Sequence, residues 1–112
     1  MADRTDYGAS AALVFGKRDS NEPEIVNALR KCGILVLKMP RSIGFDLLLI
    51  GTQIGVVCGE VKNPEQPVSK RQLTDHEKEV KELVESKGGR YVILETTDDI
   101  AELLELPRQE RF

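Results

Sequence analysis

The sequence predicts one α/β domain with a central mixed sheet and helices on both faces. Two apolar runs, residues 44–50 and 56–62, have the length and composition of buried strands. Two other segments repeat apolar residues at the spacing of an amphipathic helix. Taken in order, these signals predict the element succession α-β-β-β-α-β-α.

The first half of the chain predicts one helix and three strands. Asn21 and Pro23 mark a helix start, and Gly33 ends that helix. Three strands follow, at residues 34–39, 45–50 and 56–62, and a turn at residues 51–55 joins the last two. Because the second and third strands are apolar almost throughout, we expect both of their faces to be buried.

The second half predicts a loop, a helix, a strand and a short final helix. Two prolines make residues 63–72 a loop. The next helix carries an inner side formed by Leu73, His76, Glu77, Val80, Leu83 and Val84. A strand at residues 91–95 and a helix at residues 98–106 follow. We therefore expect an N-terminal segment at residues 1–18, a single domain at residues 19–106 and a tail at residues 107–112.

The composition disfavours several classes of protein. No apolar run approaches the roughly 18 residues that a membrane span needs. The N-terminus lacks a signal-peptide pattern, so a cytoplasmic location is the default. Cys32 and Cys58 have no metal-type spacing, and we expect two buried, reduced thiols rather than a disulfide or a zinc site. The net charge of −3 argues weakly against nucleic-acid binding, but residues 1–41 carry seven Lys and Arg against five Asp and Glu.

Ionisable side chains interrupt the two apolar runs at Asp46, Glu60 and Lys62. An unpaired buried carboxylate is costly, so it is usually neutralised, paired or bound to a metal. Glu60 and Lys62 are two residues apart on a strand and share one face, and pairing across the turn would bring Asp46 beside them. Two carboxylates and an ammonium in one place predict phosphodiester chemistry with Mg²⁺ or Mn²⁺.

In such a site Asp46 would be the bridging ligand, Glu60 the second ligand and the Val61 carbonyl a third oxygen. Lys62 would orient the attacking water or offset developing charge. The structural alternative is a buried ion pair between Glu60 and Lys62 with Asp46 capping a turn. Spacing alone leaves both interpretations open.

The same residues resemble the PD-(D/E)xK nuclease superfamily. Gly44-x-Asp46 precedes a tight hairpin, Glu60-Val61-Lys62 follows it, and the element order is α-β-β-β-α-β. Within the superfamily the chain is most similar to the small stand-alone VRR-NUC domains of phages and bacteria, relatives of Holliday-junction resolvases. The likeness covers about residues 17–96 and includes Lys17-Arg18-Asp19 and Ser69-Lys70-Arg71. Phe45 stands where the family usually has Pro.

The resemblance implies a restriction-endonuclease-like core and metal-dependent cleavage of branched, flap or Holliday-junction DNA. It also implies a homodimer, in a bacterial or phage-infected host cell. Apolar patches at residues 11–15 and at Leu103, Leu104 and Leu106 are a physical hint of a dimer. The alternative is a catalytically inactive nuclease-fold domain that serves as a nucleic-acid- or protein-binding module.

Members of this fold often add a carboxylate from the first helix, and Glu22 and Glu24 compete for that role. Glu24 is the third helical residue after Asn21, where a capping-box glutamate would sit. Glu22 points more nearly at the apolar side of the helix. We favour Glu22 as the metal-side acid, and Glu24 stays open.

Other polar residues beside the site are candidates for supporting roles. Glu77 falls where relatives place a polar residue that supports the catalytic lysine, and Gln72 is the competing choice. A lone His such as His76 is more often a satisfied half-buried group than a ligand. Eight loop residues are candidates for contact with DNA phosphates: Lys17, Arg18, Lys38, Arg41, Ser42, Ser69, Lys70 and Arg71.

Overall fold

The structure is a computed structural model that describes residues 18–105. Its elements are α1 (Glu22–Lys31), β1 (Leu35–Lys38), a 3-10 turn (Arg41–Ile43), β2 (Leu47–Gly51), β3 (Gly55–Val61), α2 (Val68–Arg71), α3 (Asp75–Ser86), β4 (Arg90–Leu94) and α4 (Thr97–Leu103). The predicted α/β fold, with a mixed sheet and flanking helices, is confirmed. The short helix α2 lies inside the predicted loop, after Pro67, whose fixed φ suits a helix start. None of the described helices is long and apolar enough to span a membrane.

The four strands are arranged in the order β1-β2-β3-β4. The pairs β1–β2 and β2–β3 are antiparallel, and β3–β4 is parallel because α2 and α3 form the crossover between them. The predicted hairpin is confirmed, with Gly51 opposite Gly55 and Leu47 opposite Gly59. The start of β2 therefore lies beside the end of β3, at one end of the two central strands.

The hydrophobic core lies on one face of the sheet, against α1 and α4. Ile25 and Leu29 are four residues apart on α1 and pack with buried strand residues and with Ile100 of α4. The buried strand residues alternate along the chain: Val36, Leu47, Leu49, Val57, Val61 and Leu94. This core fixes the sheet on which the candidate site is built.

The prediction that both faces of the second and third strands are buried is wrong. Ile50 and Val56, which point to the face opposite the core, are 36% and 59% exposed. Leu35 and Leu37 of β1 are exposed as well. The reason is that α3 packs against β4, so the described residues leave the outer face of β1 and β2 uncovered.

The predicted inner side of the second helix is also partly wrong. The helix begins at Asp75, after the N-cap Thr74, and not at Leu73. His76 lies in the first turn and is exposed, Leu83 is exposed too, and the half-buried residues of the helix include Glu77, Val80 and Val84. Val80 remains half-buried and packs beside Gly44. The predicted half-buried position of His76 is thus corrected to the surface.

The helix caps differ from the predicted ones. Asn21 is the N-cap residue of α1, but it has helical backbone angles and its side chain makes no capping bond. Glu24 is exposed and belongs to no capping box, so that prediction is wrong. Capping boxes form instead at Thr74–Glu77 and at Thr96–Asp99. Both follow the Thr-x-x-acid pattern, a signal that was present in the sequence.

Two smaller expectations can be compared with the structure. Cys32 and Cys58 are free thiols, but both are half-buried and not buried as predicted. Lys17, the apolar patch at residues 11–15 and Leu106 lie outside the described residues.

Candidate active site

Asp46 is held at the end of the sheet, one residue before β2. Its backbone continues the ladder: the amide donates to the Gly59 carbonyl at 3.0 Å, and its carbonyl accepts from the Met39 amide at 2.8 Å. Its carboxylate oxygen Oδ2 accepts from the Val61 amide at 2.9 Å. The carboxylate is therefore fixed against β3, the strand that carries Glu60.

Steric contacts and a hydrogen bond fix the conformation of the turn before Asp46. Gly44 has a φ of +102°, and a β-carbon there would lie 2.5 Å from Cγ2 of Val80, so only glycine fits. The Tyr91 hydroxyl donates to the Gly44 carbonyl at 2.7 Å. The Phe45 ring packs edge-on against Tyr91, with centroids 6.4 Å apart. Phe45 thus helps to anchor the backbone next to Asp46.

The Lys62 ammonium lies between two carboxylates. Its Nζ is 3.2 Å from Oε2 of Glu60 and 3.0 Å from Oε1 of Glu77. The first turn of α3 supplies Glu77, whose Oε1 also accepts from the Thr74 amide at 2.9 Å. The Lys62 backbone is fixed as well, because its carbonyl accepts from the Asn21 side chain at 3.0 Å. Sequence reasoning missed this role of Asn21, since no local pattern reports a contact 41 residues away.

Burial disfavours the ionised forms of both Asp46 and Glu60. Burial, and then the charge of Asp46, raise the pKa of Glu60 to about 9, although Lys62 acts in the opposite direction. Burial also raises the pKa of Asp46, against the Val61 hydrogen bond and the Arg18 charge. Oε1 of Glu60 is buried and has no hydrogen-bond partner among the described residues. The cost of burying Glu60 therefore outweighs the effect of the Lys62 charge beside it.

Lys62 and Glu77, by contrast, form a charged pair. Burial lowers the pKa of Lys62, but the carboxylates of Glu77 and Glu60 outweigh it, and the net shift is upward. Burial raises the pKa of Glu77, but hydrogen bonds from the Thr74 amide, Glu60 and Lys62 outweigh it, and the net shift is downward. Lys62 is therefore a protonated, positioned cation at neutral pH.

Arg18 connects Glu22 to the backbone of Asp46. Its Nε is 2.7 Å from Oε2 of Glu22. Its Nη2 donates to the Asp46 carbonyl at 3.0 Å and its Nη1 to the Met39 carbonyl at 3.2 Å. Glu22 is only 2% exposed, whereas Glu24 is on the surface. Of the two competing acids, the structure places Glu22 inward, beside the cleft and paired with Arg18.

One cleft of about 300 Å³ collects most of the predicted site residues. Its walls include the three acids and the lysine discussed above, which are Asp46, Glu60, Glu77 and Lys62. Its walls also include four of the predicted DNA contacts, which are Arg18, Arg41, Ser69 and Lys70. Gln72, the alternative to Glu77, also lines it. Glu22 lies behind Arg18 and is absent from the described walls.

Three predicted DNA contacts lie away from the described walls of this cleft. Nζ of Lys38 is 4.0 Å from Oε2 of Glu22, and Nη1 of Arg71 is 3.9 Å from Oε2 of Glu95. The Ser42 carbonyl lies 2.9 Å from Nε2 of His76. These three residues are engaged with protein groups near the site.

The donor set fits a hard divalent cation in part. Within residues 18–105 there is no group of three or more His, Cys, Asp or Glu that could hold a metal ion. Two carboxylates nevertheless converge on the cleft, both with raised pKa, and a buried oxygen of Glu60 lacks a partner. A cation there would offset the cost of ionising the buried carboxyls of Asp46 and Glu60 and would bind the unpartnered oxygen. A third protein oxygen would have to come from the backbone, as at Val61.

Comparisons with known proteins do not assign the chain to a family. Neither protein-family models, nor curated proteins, nor solved structures contain a match to it. The nuclease resemblance therefore depends on the residues quoted from the sequence. The chemistry of the cleft has to be argued from its own geometry.

Proposed function

We propose that this protein is a Mg²⁺- or Mn²⁺-dependent endonuclease that hydrolyses phosphodiester bonds in branched or otherwise structured DNA. The observation that carries the proposal is the convergence of Asp46, Glu60 and the protonated Lys62 on one cleft. The proposal includes a restriction-endonuclease-like core, a homodimer and a cytoplasmic location.

Each residue has a distinct role in this proposal. Asp46 and Glu60, with the Val61 carbonyl, would hold the cation. A bound Mg²⁺ or Mn²⁺ supplies Lewis-acid polarisation of a phosphoryl oxygen and activation of water. Lys62 keeps its proton because Glu77 and Glu60 stabilise the ammonium, so it offsets the negative charge that develops on the phosphate. Glu77 fixes the position of that ammonium at 3.0 Å.

Charged residues at the rim of the cleft support DNA as the substrate. Arg41, Ser69 and Lys70 line the cleft and are exposed, so they can reach a phosphate backbone. Contacts of this kind recognise the shape and charge of DNA more than its base sequence. The proposed selectivity is therefore for DNA structure.

The direct test is cleavage of labelled four-way junction, flap and duplex DNA with Mg²⁺, with Mn²⁺ and with EDTA. We expect metal-dependent cleavage that falls by at least about a hundredfold in Lys62→Ala, because a positioned charge at the transition state is lost. Lys78→Ala, an exposed lysine on α3, is the matched control and should cleave normally. Full metal-dependent activity in Lys62→Ala would contradict the proposal.

A second candidate function is a nuclease-fold module that binds nucleic acid or protein without cutting. It is favoured by the finding that residues 18–105 hold no group of three or more His, Cys, Asp or Glu suited to a metal. The two candidates differ in their response to Mn²⁺. A cation site would raise the melting temperature of the protein with Mn²⁺ concentration, whereas a non-cutting module without the site would show no rise.

A further inference from the structure

A second cavity of about 390 Å³ adjoins the candidate cleft. It shares Arg18, Asp19, Arg41 and Lys70 with the cleft, and its remaining walls are Ser20, Asn63 and Gln66. We propose that this cavity is a phosphate subsite that holds the phosphate next to the one that is cut. The inference rests on the proposed function, because that function supplies a DNA strand in the cleft.

The two cavities differ in charge: the cleft is rich in acids, as a cation site requires, and the second cavity is mainly cationic, as a phosphate site requires. The cleft is lined by four cationic and four acidic side chains, and its acids surround the proposed cation position. The second cavity is lined by three cationic side chains and one acid, Asp19. Arg18 is already paired with Glu22, but Arg41 and Lys70 still outweigh Asp19. An anion can therefore be bound there without a metal.

Hydrogen bonds within residues 63–66 and to Ser20 fix the uncharged polar groups of the second cavity. Asn63 is buried; its Nδ2 donates to Oγ of Ser20 at 3.1 Å, and its Oδ1 accepts from the Glu65 amide at 3.0 Å. The Gln66 amide donates to the Asn63 carbonyl at 3.0 Å. Because the Ser20 hydroxyl accepts a hydrogen bond from Asn63, its own hydrogen is available to donate to a ligand. The side chain of Gln66 is exposed and can donate as well.

The two cavities adjoin each other, so they can hold neighbouring phosphates of one DNA strand. Arg18, Asp19, Arg41 and Lys70 line both cavities, so the two cavities are contiguous. A strand with one phosphate in the cleft can therefore place a neighbouring phosphate in the adjoining cavity. The subsite would position the strand and would not take part in the chemistry.

The test measures DNA affinity in EDTA, where the proposed cation site cannot contribute. Gln66→Glu adds a negative charge to the second cavity with almost no change of shape. We expect it to weaken binding of a labelled four-way junction by about tenfold at low salt. The matched control is Gln53→Glu, in the exposed turn between β2 and β3, which should change affinity by less than about twofold.

A second pair of variants measures the number of phosphate contacts. Lys70→Gln should reduce the slope of log affinity against log salt by about one, whereas Lys78→Gln should leave the slope unchanged. If Gln66→Glu binds like Gln53→Glu, or if Lys70→Gln keeps the wild-type slope, the subsite is wrong.

Failure of the subsite can be told apart from failure of the proposed function. Wild-type protein that shows these binding effects in EDTA but never cuts with Mg²⁺ or Mn²⁺ would keep the subsite and lose the nuclease. Protein that cuts, but in which Gln66→Glu and Gln53→Glu bind alike, would keep the nuclease and lose the subsite.

Discussion

Two buried acids lie on either side of Asp46, and they differ in how their charge is satisfied. Glu22 is 2% exposed and Glu60 is 3% exposed. Glu22 is paired with Arg18 at 2.7 Å, and Arg18 in turn binds the Asp46 carbonyl. Glu60 has the Lys62 ammonium at 3.2 Å, but it also has the charge of Asp46 nearby and an oxygen without a partner. Glu22 thus has a close cationic partner, whereas one buried oxygen of Glu60 has no hydrogen-bond partner among the described residues.

The largest effect should follow from removing the cation that satisfies Glu22. Arg18→Met leaves the buried Glu22 carboxylate without its closest partner and removes the hydrogen bond to the Asp46 carbonyl. We expect a loss of about 3–5 kcal/mol in the free energy of unfolding, measured by urea denaturation.

Arg30→Met is the control for this variant. Arg30 is exposed, and its Nη2 makes one bond, of 3.3 Å, to the Val36 carbonyl. Its replacement should cost about 1 kcal/mol or less. Equal losses in the two variants would mean that Glu22 does not depend on Arg18.

Glu→Gln substitution should have a smaller effect on stability, and its direction should differ between Glu22 and Glu60. Glu22→Gln exchanges a charged hydrogen bond to Arg18 for a neutral one and should destabilise the protein by about 1–3 kcal/mol. Glu60→Gln keeps the uncharged side chain that the raised pKa of Glu60 favours, and Lys62 keeps Glu77 as its partner. In EDTA it should be neutral or stabilising. Denaturation midpoints of both variants test this, and destabilisation of both by the same amount would remove the distinction.

A further difference between the two acids is a pH dependence of stability that belongs to Glu60. Its pKa is about 9 in the folded protein and 4.5 in its ordinary state, so the unfolded chain releases the proton first. Stability is therefore highest below about pH 4.5 for this group and decreases as the pH rises toward 9. The raised pKa of Asp46 acts in the same direction.

Neighbouring groups do not reverse this trend between pH 5 and 9. The lowered pKa of Glu77 contributes stability that is already complete above 4.5. The raised pKa of Lys62 contributes stability that is lost only above its ordinary value of 10.5. Unfolding measured in EDTA at pH 5, 7 and 9 should show a steeper decline for the wild type than for Glu60→Gln. Parallel declines would show that Glu60 is not the group responsible.

The hairpin and its ionisable residues could be predicted from the sequence because they depend on local rules. Strand periodicity put Glu60 and Lys62 on one face, and a short turn set the register that brings Asp46 to them. Glu22 rather than Glu24 could be chosen as the inward acid from the helical wheel. These features require no knowledge of the rest of the fold.

Other features depend on tertiary placement, which periodicity does not report. An apolar strand has the same pattern whether or not a second layer covers it, and the exposure of Val56 and Ile50 was missed for this reason. The half-buried side of α3 includes Glu77, Val80 and Val84, whereas His76 lies beside it on the surface. The contacts of Arg18 with Asp46 and Met39 span 28 and 21 residues and have no local signature.

The most direct measurement is a calorimetric titration of Mn²⁺ into the wild type, Glu22→Gln and Glu60→Gln. The account predicts saturable binding to the wild type, nearly unchanged binding to Glu22→Gln, and strongly weakened binding to Glu60→Gln. Absence of binding to the wild type, or equal binding to wild type and Glu60→Gln, would contradict a cation site between Asp46 and Glu60.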